Sequence, residues 1–385
     1  MEGQWMLFIL LILIGWITLD FYLGRKTYTT PAFRRFADGE IELIDDGESL
    51  YEKLHADIQH AAHTVDLSFF IFRSDDTGER FLTLLERKAA EGVRVRLMVD
   101  QVGSALTRSR RKSLETYGVK VKLAAPVRPP FFLAALNRRN HRKTTVIDGK
   151  AAYTGGFNAG EEYIGRRTKL GFWRDYHVRL TDGAADTLQQ IFDADWAENT
   201  AVGTKEGDGR IQIVASNGTE LEKVMGDMIN KAESSLDMVT PYYIPPASIH
   251  AAVVKATARG VNVRLLVPMF ADHPFVKETG FTYFQELLEA GADVLLYNRG
   301  FFHGKAVIID RQLADVGTAN LDYRSMYWNQ ELNLIIENHS VLQTLNEAVQ
   351  RDMADAVPLY LKDLTDRSAW QRLKGGIGRR IRWLL

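Results

Sequence analysis

The chain has 385 residues, 46% apolar and 25% charged, ordinary figures for a globular protein with room for two cores. Its formal net charge of −1 argues against a general nucleic-acid coat, which would be basic. It has no cysteine, which excludes disulfides, cysteine-ligated iron–sulfur clusters and thiolate zinc sites.

The first segment stands apart. Gly3 to Leu19 carries no charge and contains Leu7-Phe-Ile-Leu-Leu-Ile-Leu-Ile14. As a helix extended to Leu23 it reaches ~31 Å, close to the ~30 Å hydrocarbon core of a bilayer. Trp5, Trp16 and Tyr22 suit the membrane interfaces, and Asp20 is expected at the headgroup level. A cleaved signal peptide would want a basic start and a small-x-small site, and neither is present. Arg25, Lys26, Arg34 and Arg35 follow the span and no Lys or Arg precedes it. The positive-inside rule then puts the body on the cytoplasmic face of a single-pass cell-membrane protein.

Strands and helices alternate through the body. Val65–Phe72 reads as a strand, then Phe81–Gly92 as a helix and Val93–Val99 as a strand, with Glu48–Ala61 a helix before them. The same order recurs in Glu220–Ala232, Leu236–Tyr243 and Val261–Val267, with Thr282–Gly291 a further helix. The pattern predicts an α/β fold with mixed or largely parallel sheets flanked by helices, built as a tandem pseudo-twofold repeat. The expected divisions are an anchor at 1–24, a first lobe at 39–199, a polar Gly-rich linker at 200–209, a second lobe at 210–360 and a basic amphipathic tail at 361–385. That tail is suited to anionic headgroups. Pro129–Leu136 reads as a lipid-facing lip or as a buried helix start.

Each half carries the same constellation. His141 and Lys143 are followed by Asp148, Gly155 and Asn158; His303 and Lys305 are followed by Asp310, Gly317 and Asn320, at identical offsets. Each motif opens on a strand, where side chains alternate faces. His and Lys, two apart, share a face. Asp148 and Asp310, an odd seven from His, point to the other face, so fixing a turn or pairing with a buried cation suits them better than touching substrate. Core packing explains Val146-Ile147 and Ile308-Ile309, but not a repeated His and Lys, because burying an ammonium is costly. Two ammoniums and two amides can neutralise one phosphodiester while two imidazoles serve as nucleophile and general acid–base. No metal and no cofactor is required, since Lys is not a usual ligand.

These paired His-x-Lys-x4-Asp motifs resemble the phospholipase D superfamily. The words Tyr153-Thr-Gly-Gly-Phe-Asn158, Phe172-Trp-Arg-Asp175, Gly317-Thr-Ala-Asn-Leu-Asp-Tyr-Arg-Ser325 and Glu331-Leu-Asn333 resemble its bacterial cardiolipin synthase branch, nearest to single-span members of minor-synthase type. Thr318 stands where that branch often has Ser and keeps the hydroxyl. The resemblance implies a two-lobed fold with one site in the cleft and His141, Lys143, Asp148, His303, Lys305 and Asp310 as its catalytic motif. It further implies a phosphatidyl-histidine intermediate, with His141 the usual nucleophile and the reverse assignment open. It places Asp175 and Glu331 behind the imidazoles; Asp175 could instead pair with its neighbour Arg174. His177, His250, His273 and His339 lie outside the repeat and read as structural or surface residues. The implied reaction joins two phosphatidylglycerols into cardiolipin and glycerol at the membrane. The alternatives are phospholipid hydrolysis and, less favoured by the span and charge, a nuclease; no nucleic-acid partner is expected.

Overall fold

The computed structural model describes residues 2–167, 171–198, 209–270 and 275–384. Nearly all of the expected linker at 200–209 lies outside these, as does His273.

Two sheets form the body. The first runs, in spatial order, Ile41–Ile44, His177–Thr181, Ala151–Gly155, Thr144–Ile147, Thr64–Phe69, Arg94–Asp100 and Lys120–Ala124. The second repeats that order with Ile211–Asn217, Gln330–Glu337, Leu313–Gly317, Ala306–Ile309, Ser235–Val239, Asn262–Pro268 and Asp293–Tyr297. It adds an edge strand at each end, Thr30–Ala37 and Ala356–Pro358. Parallel pairing is confined to the last three strands of each seven, so the sheets are mixed. Helix crossovers make those parallel steps, while each His strand pairs antiparallel on both sides, with the following strand through a short turn and with a strand far earlier in the sequence. Thr30–Ala37 precedes the first lobe in sequence yet pairs with Ile211–Asn217 of the second.

Period-two alternation in the His strands decides the layering. Val146 and Ile308 point into a shared core between the sheets, while Ile147 and Ile309 point into the outer core of their own lobe. The helices Asp182–Ala197 and Val341–Ala354 contribute Leu188 and Leu345 to the shared core. Burying strands on both faces is what lets them read as near-continuous apolar runs.

A charged pair repeats as well. Arg96 grips Asp66 through two bonds of 2.6 and 2.7 Å, and Arg264 grips Asp237 at 2.7 and 2.6 Å. Gln189 and Gln350, from the two shared-core helices, complete the carboxylates at 2.9 and 3.0 Å. Such buried acids persist because they are fully bonded.

The N-terminal helix, Glu2–Tyr28, exposes apolar side chains all along its length, and Gln4–Tyr28 is long and apolar enough to cross a membrane. Asp20, expected at the headgroup level, has a partner within the protein. It is buried, and its Oδ1 accepts the Ala134 N–H at 2.8 Å. Phe131, the N-cap of the short helix Phe132–Asn137, has no capping oxygen, so Asp20 satisfies that helix end from outside. Gly24 lies where a Cβ would come within 2.2 Å of the Ala134 Cβ, so the two helices pack at backbone distance. Pro129–Leu136 is therefore neither purely lip nor purely core: Phe132 and Leu136 are exposed, whereas Ala134 and Ala135 seat the anchor helix.

The basic tail is ordered as a helix, Ala369–Arg380, opened by a capping box between Ser368 and Gln371. It packs on Val276–Ala290 through Gly375, with Arg379 paired to Glu286 at 2.7 Å. Trp383 beyond it meets Phe21 of the N-terminal helix edge to face at 4.7 Å.

Candidate active site

Backbone pairing between the lobes sets the site. The first-lobe strand Phe172–Arg174 runs parallel to Gly300–Phe302 of the second, and His303 N–H donates to the Arg174 carbonyl at 2.7 Å. On the other side of the pseudo-twofold, His141 N–H donates to the Gln330 carbonyl at 3.0 Å. Each imidazole thus sits beside the strand that carries the other lobe's acid. His141 Nδ1 lies 2.9 Å from Glu331 Oε2, and His303 Nδ1 lies 2.6 Å from Asp175 Oδ2. A carboxylate is an acceptor only, so Glu331 favours the proton on Nδ1 of His141; at His303 the Nδ1 is shared between the Asp175 carboxylate and the Lys305 ammonium, each at 2.6 Å.

The lysines reach the same space. Lys143 and Lys305 are buried, and each donates Nζ to the carbonyl of the histidine two residues before it. Lys305 Nζ also stands 3.8 Å from Asp175 Oδ2. Phe70 meets His141 edge-on at 5.0 Å and Trp173 lies 4.9 Å from His303, walling the imidazoles with apolar surface.

That burial governs the charges. It pushes both imidazoles down to about 4, so both are neutral near pH 7. It pushes the Lys143 ammonium down to about 7. Burial alone would raise Glu331, but His141, Lys143 and the Thr318 hydroxyl outweigh it and hold the carboxyl at about 2. Asp175 is likewise held below its ordinary range: burial raises it, and Lys305 and His303 prevail.

The asparagines differ. Asn158 Oδ1 accepts the Ile71 N–H at 2.9 Å, which turns its NH2 end the other way. Asn320 gives its NH2 to Asp322 at 3.1 Å, and its Oδ1 is buried without a partner.

Asp148 and Asp310, grouped with the catalytic motif by the resemblance, are bonded to backbone N–H groups, the turn-fixing place expected from strand alternation. Each sits after the far end of its strand. Asp148 accepts from the N–H groups of Ala62, His63 and Thr64 at 2.7–2.9 Å. Asp310 accepts from those of Glu233, Ser234 and Ser235 at 2.8–3.0 Å. They clamp the turn that feeds the neighbouring strand, as strand parity requires. Arg174 does not pair with Asp175; it takes Asp352 at 2.8 Å and Asp45 at 2.8 Å. His250 and His339 serve local structure, bonding Tyr243 with Glu286, and Gly39 with Val341.

Three residues take places beside the acids that the sequence did not assign to them. Thr318 donates its hydroxyl to Glu331 Oε2 at 2.6 Å and accepts the Leu332 N–H at 2.9 Å. Its first-lobe counterpart is Gly156, where a Cβ would stand 1.9 Å from Asp175 Oδ1. The shorter acid lies against bare backbone; the longer one is held by a hydroxyl. His177 is buried two residues past Asp175, with Nδ1 unpartnered and the ring pushed down to about 3 by burial. Its place two after the acid, matched by Asn333, was a signal available in the repeat.

Comparison with known proteins agrees with this geometry. A family described as "Cardiolipin synthase, PLD-like domain" matches residues 54–196 and 225–353. The chain belongs to that family. It is 37% identical to the minor cardiolipin synthase ClsB of Bacillus subtilis, over 98% of both chains. It is also 37% identical to the cardiolipin synthase of Listeria innocua, over 89% of this chain and 74% of that one. In fold it is similar to a phosphatidylserine synthase from Haemophilus influenzae, with a TM-score of 0.70 at 14% identity over 95% of this chain and 100% of that one. The family profile covers both His-x-Lys motifs and both acids that face them.

Proposed function

We infer that the chain is a phosphatidyltransferase that makes cardiolipin and glycerol from two phosphatidylglycerols. The observation that carries this reading is the crossed pair of carboxylate–imidazole contacts, with both motif lysines buried beside them, in a chain with an apolar N-terminal helix.

Nε2 of one imidazole attacks the phosphorus of the first lipid. The bond from phosphorus to the glycerol oxygen breaks, and the second imidazole gives its Nε2 proton to the departing glycerol. Lys143, Lys305 and the NH2 of Asn158 hold the non-bridging oxygens, and turning over the Asn320 amide would add a fourth donor. The neutral second imidazole then takes the proton from a glycerol hydroxyl of the second lipid. That oxygen attacks phosphorus, the phosphorus–nitrogen bond breaks, and cardiolipin leaves. His141 is assigned as nucleophile and His303 as acid–base by the family resemblance. A bound phosphodiester anion raises both imidazole pKa values, which supplies the protonated partner the first step needs. Arg25 and Lys26 after the span support a cytoplasmic body, and the docked basic tail supports contact with anionic lipid.

The test is lipid mass spectrometry after incubating the full chain with phosphatidylglycerol vesicles in EDTA. Cardiolipin plus glycerol supports the synthase; phosphatidic acid plus glycerol makes it a hydrolase. A stable lipid adduct on His141 in the H303A variant, absent in H141A, supports the nucleophile assignment; an adduct on His303 in H141A reverses it.

A further inference from the structure

The segment from Asn140 to Lys143 has two faces. His141 and Lys143 point into the catalytic cleft. Asn140 and Arg142 line a separate cavity of about 430 Å3 on the other side. Thr27 and Tyr28, in the last turn of the N-terminal helix, form another of its walls.

The cavity is cationic. Lys122, Arg128, Arg138 and Arg142 line it against two carboxylates, Asp195 and Glu198. Those acids are already taken. Asp195 holds Arg142 at 2.5 Å, and Glu198 holds Lys122 at 3.0 Å and stands 3.7 Å from Arg128. Arg138 is left over. Its guanidinium lies 5.5 Å over the Tyr28 ring, its Nε is buried with no hydrogen-bond partner, and no carboxylate of the described residues pairs with it. Burial, then Arg142 nearby, lowers its pKa to about 10, so it keeps its charge at neutral pH. An unpaired guanidinium in a half-closed cavity is costly unless an anion completes it. Planar guanidinium groups bind phosphate oxygens in pairs, and the aromatic ring behind Arg138 fixes its plane.

We propose that this cavity is a second phosphate-binding site, separate from the catalytic one, that takes the phosphodiester headgroup of an anionic lipid against Arg138. The assignment rests on reading the N-terminal helix as a membrane span, which brings the cavity wall formed by its last turn to the headgroup layer. The site is coupled to the chemistry. Arg142 also donates Nε to the Glu331 carbonyl at 3.1 Å and Nη2 to the Ser216 carbonyl at 2.8 Å. An anion here bears on the strand that seats His141. It would let the enzyme respond to the anionic lipid content of the membrane beyond the lipid it is converting.

The experiment uses the full chain with His141→Ala and His303→Ala together, so that neither an adduct nor turnover occurs, held in detergent micelles doped with phosphatidylglycerol and read by native mass spectrometry. One retained lipid that depends on Arg138 is expected beside those in the catalytic site. Arg138→Gln and, independently, Ala194→Phe, which fills the cavity without touching a charge, should each lower the count by one. Arg138→Lys should keep the full count, and Lys143→Ala should weaken only the lipids of the catalytic site. Displacement of the Arg138-dependent lipid by inorganic phosphate shows that the site reads phosphate from either source; resistance to it shows that the lipid's chains contribute, and both support the site. An unchanged lipid count in both Arg138→Gln and Ala194→Phe overturns the proposal. So does a parent that retains a single lipid lost with Lys143→Ala. Neither result touches the catalytic reading, which stands on product analysis.

Discussion

Glu331 lies across the lobe boundary from His141, its Oε2 at 2.9 Å from Nδ1, in a fully buried contact. Asp175 and His303 mirror it at 2.6 Å. Removing the charge while keeping the shape therefore tests orientation rather than packing. Glu331→Gln and Asp175→Asn are each expected to lower kcat by roughly 10²–10⁴-fold, the range for losing a correctly set imidazole. KM should change little. Steady-state kinetics on mixed micelles read this, and a rise in KM with kcat intact would place the acids in lipid binding.

The pH profile follows from burial. A nucleophilic imidazole held at about 4 is lost as pH falls through that value. The Lys143 ammonium, held at about 7, loses its proton as pH rises through it. The ratio kcat/KM, which reports the free enzyme, should fall below about 4, decline gradually above it because the second imidazole must carry a proton, and drop more steeply above about 7 where Lys143 loses its own. Lys143→Arg should move the alkaline limb upward, since a guanidinium stays charged. An unmoved limb would assign it to another group.

The difference between Gly156, bare backbone against Asp175, and Thr318, whose hydroxyl holds Glu331, predicts opposite tolerances. Gly156→Ala forces a methyl into Asp175 and should abolish most turnover without unfolding the chain. Thr318→Ser should keep activity because the hydroxyl still reaches Glu331, whereas Thr318→Val should lower it. Parallel circular dichroism and activity measurements separate lost chemistry from lost fold.

Asp148 and Asp310 are expected to act on stability. Asp310→Asn replaces one of the two accepting oxygens with an NH2, so at least one of the three backbone N–H groups loses its acceptor, and should cost about 1–3 kcal/mol, with kcat per folded molecule kept. Burial, the largest single effect, raises the Asp310 carboxyl, yet the N–H and hydroxyl donors together outweigh it and hold it at about 2. Its unfolded value is ~3.9, so the stabilisation is present above that pH and is lost as pH falls toward 2. Denaturant unfolding at pH 7 and at pH 3 checks the sign: the gap between parent and variant should shrink in acid.

Much of this was legible before any coordinates. Offsets alone separated His141 and Lys143 from Asp148, because alternation along a strand is a geometric fact about the backbone. The repeat gave the equivalent strands, with boundaries shifted by a few residues; Pro241, lacking an N–H, ends the strand Ser235–Val239 earlier than the apolar run suggests. What pairs across the lobes was not legible. Nothing in Phe172-Trp-Arg says that it lies beside Gly300-Phe-Phe, since inter-strand partners are set by the packing of two sheets. The partner of Asp20 was not legible for the same reason: nothing in the sequence puts a helix lacking its own cap beside it.

The crossing of acids and imidazoles between halves also bears on dilution. A site assembled from two separate copies would come apart as the protein became scarce. Here both contributors share one polypeptide and one buried core, so they meet at an effective concentration on the order of millimolar or above, whatever the abundance of the enzyme. A few molecules in a membrane keep a complete site.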